Sequence, residues 1–263
     1  MTTSIDSAPG LDLQKAFDSH AADWVQYVQS QGGALRHAVI LHNLLRHLPA
    51  GEPPLRIMDA GGGSGEMAAD LAALGHRVTL LDFSAPMLAV ARSRCEELGA
   101  SVEFVCSDAW QAASLWQPGS FDVVLCHSLL EFADNPAPLL AQLATLLKTG
   151  GVFSVVAGNR HALVMREAIA QGNAVRALQG LDAEIPGNDL FGLPRRTFDP
   201  DELCSMIEAN GVAIAGEYGV RIFCDLVKTV ANWDDLRALE LAASSRLPYR
   251  RLGRFIQIIG IKQ

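Results

Sequence analysis

The chain has little positive charge for its length. Its 263 residues carry 21 Lys and Arg against 29 Asp and Glu, a formal net charge of −8. That balance argues against a surface that coats nucleic acid generically, because phosphate binding is driven by clustered cations. A local basic patch stays compatible with it. Cysteine is sparse too. Cys95, Cys106, Cys126, Cys204 and Cys224 form no C-x-x-C pair, and the first three fall in apolar runs that suit buried thiols in a reducing compartment. No apolar stretch reaches the ~18 residues of a membrane span. The opening MTTSIDSAPG has no charged region followed by an apolar one, so a soluble cytoplasmic protein without membrane attachment is expected. Internal repeats and low-complexity tracts are missing as well. What the chain has in quantity is core material: 49% of it is hydrophobic, enough for one substantial α/β domain over 1–263.

The most informative stretch is LRIMDAGGGSG, residues 55–65. An apolar run ending in an acid and opening into alternating glycines predicts a strand, a tight turn and a helix start. Gly61, Gly63 and Gly65 tolerate positive φ and close approach of a ligand, while free N–H groups at the next helix start face whatever binds there. A dinucleotide fingerprint, G-x-G-x-x-G, would need a third glycine where this chain has Glu66. A carboxylate there would repel a pyrophosphate at the helix N-terminus, so nicotinamide binding is disfavoured. Downstream, MAADLAALGH has helical spacing and RVTLLDFS predicts a second strand with Asp82 at its carboxyl end, about 20 residues past the glycines. Asp59, the glycines and Asp82 then converge on one crevice at the carboxyl edge of a sheet, where Asp82 can accept both ribose hydroxyls of a nucleoside. Ser84 is a competent cap for the helix that follows, to Leu98. VEFVCSDAW predicts a third strand ending near Asp108. FDVVLCHSLLEF predicts a fourth, with His127 and Glu131 near its end, and LLKTGGVFSVVAG a helix end, a glycine stop and a fifth strand.

The pattern D-x-G-x-G-x-G at Asp59–Gly65 resembles the first motif of the class I S-adenosylmethionine (SAM)-dependent methyltransferases. That resemblance implies a Rossmann-like, doubly wound mixed sheet with SAM as cofactor. It also implies that Asp108 accepts from the adenine amino group while Ala109 offers its backbone N–H to the ring. The blocks GALRHAVI (33–40), CHSLLEF (126–132), GVRIF (219–223) and PYRRLGR (248–254) are similar, more narrowly, to the bacterial family of tRNA 5-carboxymethoxyuridine methyltransferases, which esterify a wobble-uridine carboxylate. By that resemblance Arg36 and His127 join Gly61, Gly62, Gly63 and Asp82 at the cofactor. The acceptor is then either the tRNA wobble uridine or a small metabolite. The run LDAEIPGNDLFGLPRR carries only Arg195 and Arg196 against Asp182, Glu184 and Asp189, where this family has a strongly basic run, and that keeps the metabolite alternative open. A nicotinamide oxidoreductase and a non-catalytic SAM-binding module are the alternatives from other classes.

Around the core, Leu13–Gln29 and Ala34–Leu48 are predicted as two helices broken at Gly32 and Gly33, within an N-terminal helical cover over 1–50. Residues 160–198 form a predicted lid insertion, with HALVMREAIAQGNAVRALQ helical. Asp199, Pro200 and Glu202 make a strong helix start. VAIAGEYGVRIF and RFIQIIGIK flank a mostly helical stretch and predict an antiparallel edge to the sheet.

Methyl transfer from a sulfonium is an in-line displacement that asks chiefly for positioning and a water-poor site. A carboxylate, with an ordinary pKa of about 4, is already anionic and needs no base. An amine or phenol acceptor would need one, for which His127, Tyr249 and Tyr218 are the candidates. Arg221, with Arg250, Arg251 or Arg254, can fork a carboxylate or phosphate. Tyr249 joins them as a candidate acceptor contact, and no metal enters the expected chemistry.

Overall fold

The computed structural model describes residues 13–49, 54–182, 187–188, 194–227 and 229–263. Seven strands build the main sheet: β1 (Arg56–Ala60), β2 (Arg77–Asp82), β3 (Val102–Cys106), β4 (Phe121–His127), β5 (Leu147–Gly158), β6 (Val212–Val220) and β7 (Phe255–Lys262). Their spatial order is β3-β2-β1-β4-β5-β7-β6. The first five pair in parallel. β7 slots antiparallel between β5 and β6, so the sheet is mixed, as expected.

Register decides where the loops lie. Gly158 at the end of β5 is opposite Phe255 at the start of β7, and Phe255 is opposite Val220 at the end of β6. The segments just after β6 and just before β7 therefore share the carboxyl edge with the loops after β1, β2 and β4. This is the edge where open α/β sheets bind ligands.

The longer helices are α1 (Leu13–Ser19), α2 (Ala21–Gln29), α3 (Gln31–Leu45), α4 (Glu66–Ala73), α5 (Ala85–Leu98), α6 (Pro136–Thr145), α7 (Arg160–Met165), α8 (Ala174–Asp182), α9 (Pro200–Glu208) and α10 (Trp233–Ala243), with a single further turn at Ala112–Leu115. Strand residues alternate between two apolar cores. Met58, Val124, Phe153 and Ile258 meet Leu139, Leu143, Leu203 and Ile207 of α6 and α9. Ile57, Leu80, Leu125 and Val156 meet Val39, Ile40 and Leu44 of α3, Leu71 of α4 and Leu88 of α5. A sheet covered on both faces explains why these strands are apolar runs rather than alternating ones.

Three boundaries differ from the sequence expectation. The first predicted helix breaks at His20 into α1 and α2. The break placed at Gly32 and Gly33 does not occur: both lie in the first turn of α3, whose cap, Ser30, accepts from Gly33 N. Gly33 serves close packing instead, since a Cβ there would collide with the Tyr27 carbonyl oxygen. The glycine stop before the fifth strand is also absent, because β5 begins at Leu147 and runs through Gly150 and Gly151. Within 160–198, α7 widens into a π-helical turn at Arg166–Ala170 before Gly172 and α8. Of the acids expected in that insertion, Glu184 and Asp189 lie outside the described residues.

Candidate active site

A cavity of about 730 Å³ opens at the carboxyl edge, within the range of small-molecule and cofactor sites. Its walls come from α1 to α3, the loops after β1, β2 and β4, the first turns of α4 and α5, the π-helical turn, Arg195, the segments after β6 and before β7, and Trp233 of α10.

One end is glycine and acid. Gly61 and Gly63 adopt positive φ, and a Cβ on Gly62 would come within 2.8 Å of Asp59 Oδ2 and Leu80 Cγ, so the loop closes only without side chains. Asp82 Oδ2 accepts from Gly63 N at 2.9 Å and Oδ1 from Ser84 N at 2.8 Å. Each carboxylate oxygen keeps a second lone pair for a ligand. Asp59 is buried, its Oδ2 has no hydrogen-bond partner, and burial, then Asp82 and Glu66, raise its pKa to about 7. Glu66 is held by Arg94 at 2.8 Å. A cationic ligand group would relieve the crowding of these acids.

The other end is arginine. Arg36, Arg166, Arg195, Arg221 and Arg254 all line the cavity. Phe255 organises three of them, with the guanidinium carbons of Arg36, Arg195 and Arg254 at 4.7, 5.4 and 5.5 Å from its ring centre, within cation–π range. Arg36 Nη2 donates to Ser128 Oγ at 2.8 Å while its Nε stays without a partner. Burial pulls its pKa down. Arg254 is pushed down to about 10 by burial, with Arg221 and Arg166 adding to this against Asp225, and remains a cation at neutral pH. Glu131, buried on the turn after β4, faces Arg195 Nη1 at 3.5 Å. Asp225 pairs with both Arg221 and Arg254.

Arg221 is the most constrained of the set. Its φ is 58°, a left-handed conformation that costs a non-glycine residue on the order of 1 kcal/mol or more. Its guanidinium bonds Tyr27 OH at 3.0 Å and Cys224 Sγ at 3.2 Å besides Asp225. Burial disfavours the charge, but Tyr27 and Asp225 outweigh it and hold the guanidinium above its ordinary pKa. The loop itself hangs on Glu240 of α10, which is fully buried and accepts from the backbone N–H groups of Ile222, Phe223 and Cys224 at 2.7, 2.8 and 3.0 Å.

The structure brings Arg36, Asp59, Gly61, Gly62, Gly63, Asp82, His127, Arg221 and Arg254 to one cavity. Asp108 and Ala109 are not among its lining residues; Asp108 caps a short turn by accepting from Trp110 N at 2.9 Å. Tyr249 is 44% exposed and packs on Phe223. Arg250 pairs with Glu217, and the Tyr218 hydroxyl bonds His47 at 2.6 Å. None of these three lines the cavity. His127 does, yet burial, Arg36 and His37 hold its pKa at about 3, so it is a poor base at neutral pH. Glu131, Arg166, Arg195 and Phe255 were missed as lining residues. An acid inside the apolar run SLLEF was the one signal that could have found Glu131.

A family model described as a methyltransferase domain matches residues 58–155. The tRNA 5-carboxymethoxyuridine methyltransferase of Escherichia coli (strain K12) is 34% identical over 238 residues, covering 88% of this chain and 89% of that protein. The chain belongs to the SAM-dependent methyltransferases. A ubiquinone biosynthesis O-methyltransferase of Burkholderia thailandensis is 28% identical over 74% of this methyltransferase and 79% of its own length. In fold, the enzyme superposes on the magnesium protoporphyrin IX methyltransferase of Synechocystis PCC 6803 with bound SAH at a TM-score of 0.65 and 16% identity, over 95% of this chain and 98% of that one. SAM is the methyltransferase's cofactor, and the acid-and-glycine end fits it: acceptors for ribose, a side-chain-free loop, and carboxylates for a cation. Among the described residues no helix is long and apolar enough to cross a membrane, and no His, Cys, Asp or Glu cluster is arranged to hold a metal.

Proposed function

We propose that this methyltransferase esterifies a carboxylate, and that the carboxylate is that of the wobble 5-carboxymethoxyuridine of tRNA. The observation that carries the carboxylate is the arginine end of the cavity, where Arg166, Arg195, Arg221 and Arg254, besides the Arg36 expected at the cofactor, face two paired acids, Glu131 and Asp225. When bound, SAM supplies a methyl group activated by its sulfonium. Asp59 and Asp82 favour that cation at one end, while Arg221 and Arg254 draw the anionic acceptor to the other. Opposite charges at the two ends would draw nucleophile and electrophile into one cavity. A carboxylate oxygen attacks as an anion, so no proton has to leave, which agrees with the depressed basicity of His127. The tRNA reading is supported by the 34% identity to the E. coli enzyme of that name.

The test is methylation of total tRNA from cells that lack the wobble methyl ester, read by mass spectrometry of the nucleosides. Rates should fall steeply between about 50 and 200 mM salt, as counterion release requires. Methylation of a small carboxylic acid without that salt dependence, and none of tRNA at any salt, would replace tRNA by a metabolite. The net charge of −8 favours that second reading.

Asp82→Ala should weaken SAM binding by about 2 kcal/mol, roughly 30-fold, through loss of charge-assisted ribose bonds; calorimetry with unchanged affinity would remove Asp82 from the site. Arg221→Lys should raise the Michaelis constant for the acceptor about tenfold, since a point charge cannot fork a carboxylate. Its SAM affinity should stay within about twofold of wild type. Equal effects on both ligands would mean that Arg221 only anchors Tyr27.

A further inference from the structure

Behind the cavity wall, a chain of buried polar side chains runs from α3 through the sheet to His127. Asn43 of α3, Ser154 of β5 and Gln257 of β7 are fully buried, and none lines the cavity. Their hydrogen-bond directions can be fixed from one end. Gln257 Nε2 donates to the Ile40 carbonyl oxygen at 3.2 Å, a group that only accepts, so the amide has one orientation. The same Nε2 lies 3.2 Å from Ser154 Oγ, which therefore receives a proton there. Gln257 Oε1 accepts from Asn43 Nδ2 at 3.1 Å. Asn43 Nδ2 also donates to Ser244 Oγ at 3.1 Å, and that hydroxyl donates to the Gly219 carbonyl at 2.8 Å.

One proton is left to assign, that of the Ser154 hydroxyl. Among the described residues its one remaining partner is His127 Nε2, 2.8 Å away. A fully buried hydroxyl with no acceptor is costly, so Ser154 donates to Nε2. The proton of the neutral imidazole then sits on Nδ1, which makes no bond to the protein among the described residues. His127 lines the cavity with Arg36.

We propose that Ser154, backed by Gln257 and Asn43, is a positioning residue that locks His127 as the neutral Nδ1–H tautomer, a fixed donor acting beside Arg36 on an anionic group in the cavity. The carboxylate of bound SAM has that chemistry. Burial and the nearby Arg36 and His37, which keep the ring unprotonated, reinforce the same state. Such a donor serves any methyl acceptor and is independent of the carboxylate and tRNA readings above.

Spectra of the cofactor-free chain with ring-15N-labelled histidine test this, His127 being assigned by loss of its signals in His127→Gln. Wild type should carry its proton on Nδ1 and show a bare, hydrogen-bonded Nε2. Ser154→Ala should move the ring toward the Nε2–H form and raise the SAM dissociation constant about three- to tenfold. Ser154→Thr, which keeps the hydroxyl, should restore both. A wild-type ring protonated on Nε2 overturns the assignment, as does a Ser154→Ala spectrum identical to wild type; an unchanged dissociation constant overturns the donor role. If Ser154→Ala does not fold, the wild-type spectrum and Ser154→Thr decide.

Discussion

Asp59→Asn is expected to stabilise the cofactor-free chain by up to about 4 kcal/mol at pH 8 and by little at pH 4. Asp59 is 2% exposed, and burial, with Asp82 and Glu66, lifts its pKa to about 7. The folded carboxyl thus holds its proton more tightly than the unfolded one, whose ordinary pKa is about 4. Its contribution to stability is complete below about pH 4 and is lost as pH rises towards 7. Asparagine does not ionise, so variant and wild type diverge across that window. Urea denaturation at pH 4, 6 and 8 measures the gap, and a pH-independent difference would refute the ionisation cost. SAM should reverse the order, because a cation beside Asp59 stabilises the carboxylate that asparagine lacks.

A change of similar size and opposite sign, a loss of stability, is expected at Glu240, which does not line the cavity. Glu240→Ala removes the acceptor for three backbone N–H groups at once, one buried and two partly buried, at a cost of about 3–5 kcal/mol. The loop it holds carries Arg221 in its left-handed conformation, so acceptor binding should suffer beyond the stability loss. Denaturation gives the first effect. The Michaelis constant for the acceptor, measured well below the melting temperature, gives the second. Normal acceptor kinetics in a destabilised variant would show that the Arg221 conformation is held by Asp225 and Tyr27 alone.

Local signals made much of this molecule legible. The glycine loop, Asp82 at the end of β2 and the cap formed by Asp199, which accepts from Asp201 N and Glu202 N, each depend on neighbours within a few residues. Even the antiparallel pairing of β6 and β7 announced itself as two apolar runs. The helix break at Gly32 and Gly33 failed because glycine there answers to a tertiary contact with Tyr27 and not to a turn. The arginine end was half visible for a similar reason. In PYRRLGR, the short turn at Tyr249–Leu252 sends Tyr249 against Phe223 and Arg250 to Glu217, leaving only Arg254 for the cavity. No spacing rule could select it. Arg195 meets Glu131 across 64 positions, Phe255 lies nearly as far along the chain from Arg195, and Arg36 meets the same ring across a gap more than three times longer. Such pairings come from topology.

The place of β7 also sets a timetable for making the enzyme. Residues 56–158 complete five parallel strands and the glycine loop, all of which can form while the rest of the chain is still being synthesised. The strand that covers the β5 edge, together with the Phe255 ring that gathers three arginines, arrives only with residues 255–262. On the proposed assignment of the two ends, a nascent chain would carry the glycine loop early but would lack the ring that gathers Arg195 and Arg254 until translation has passed Phe255.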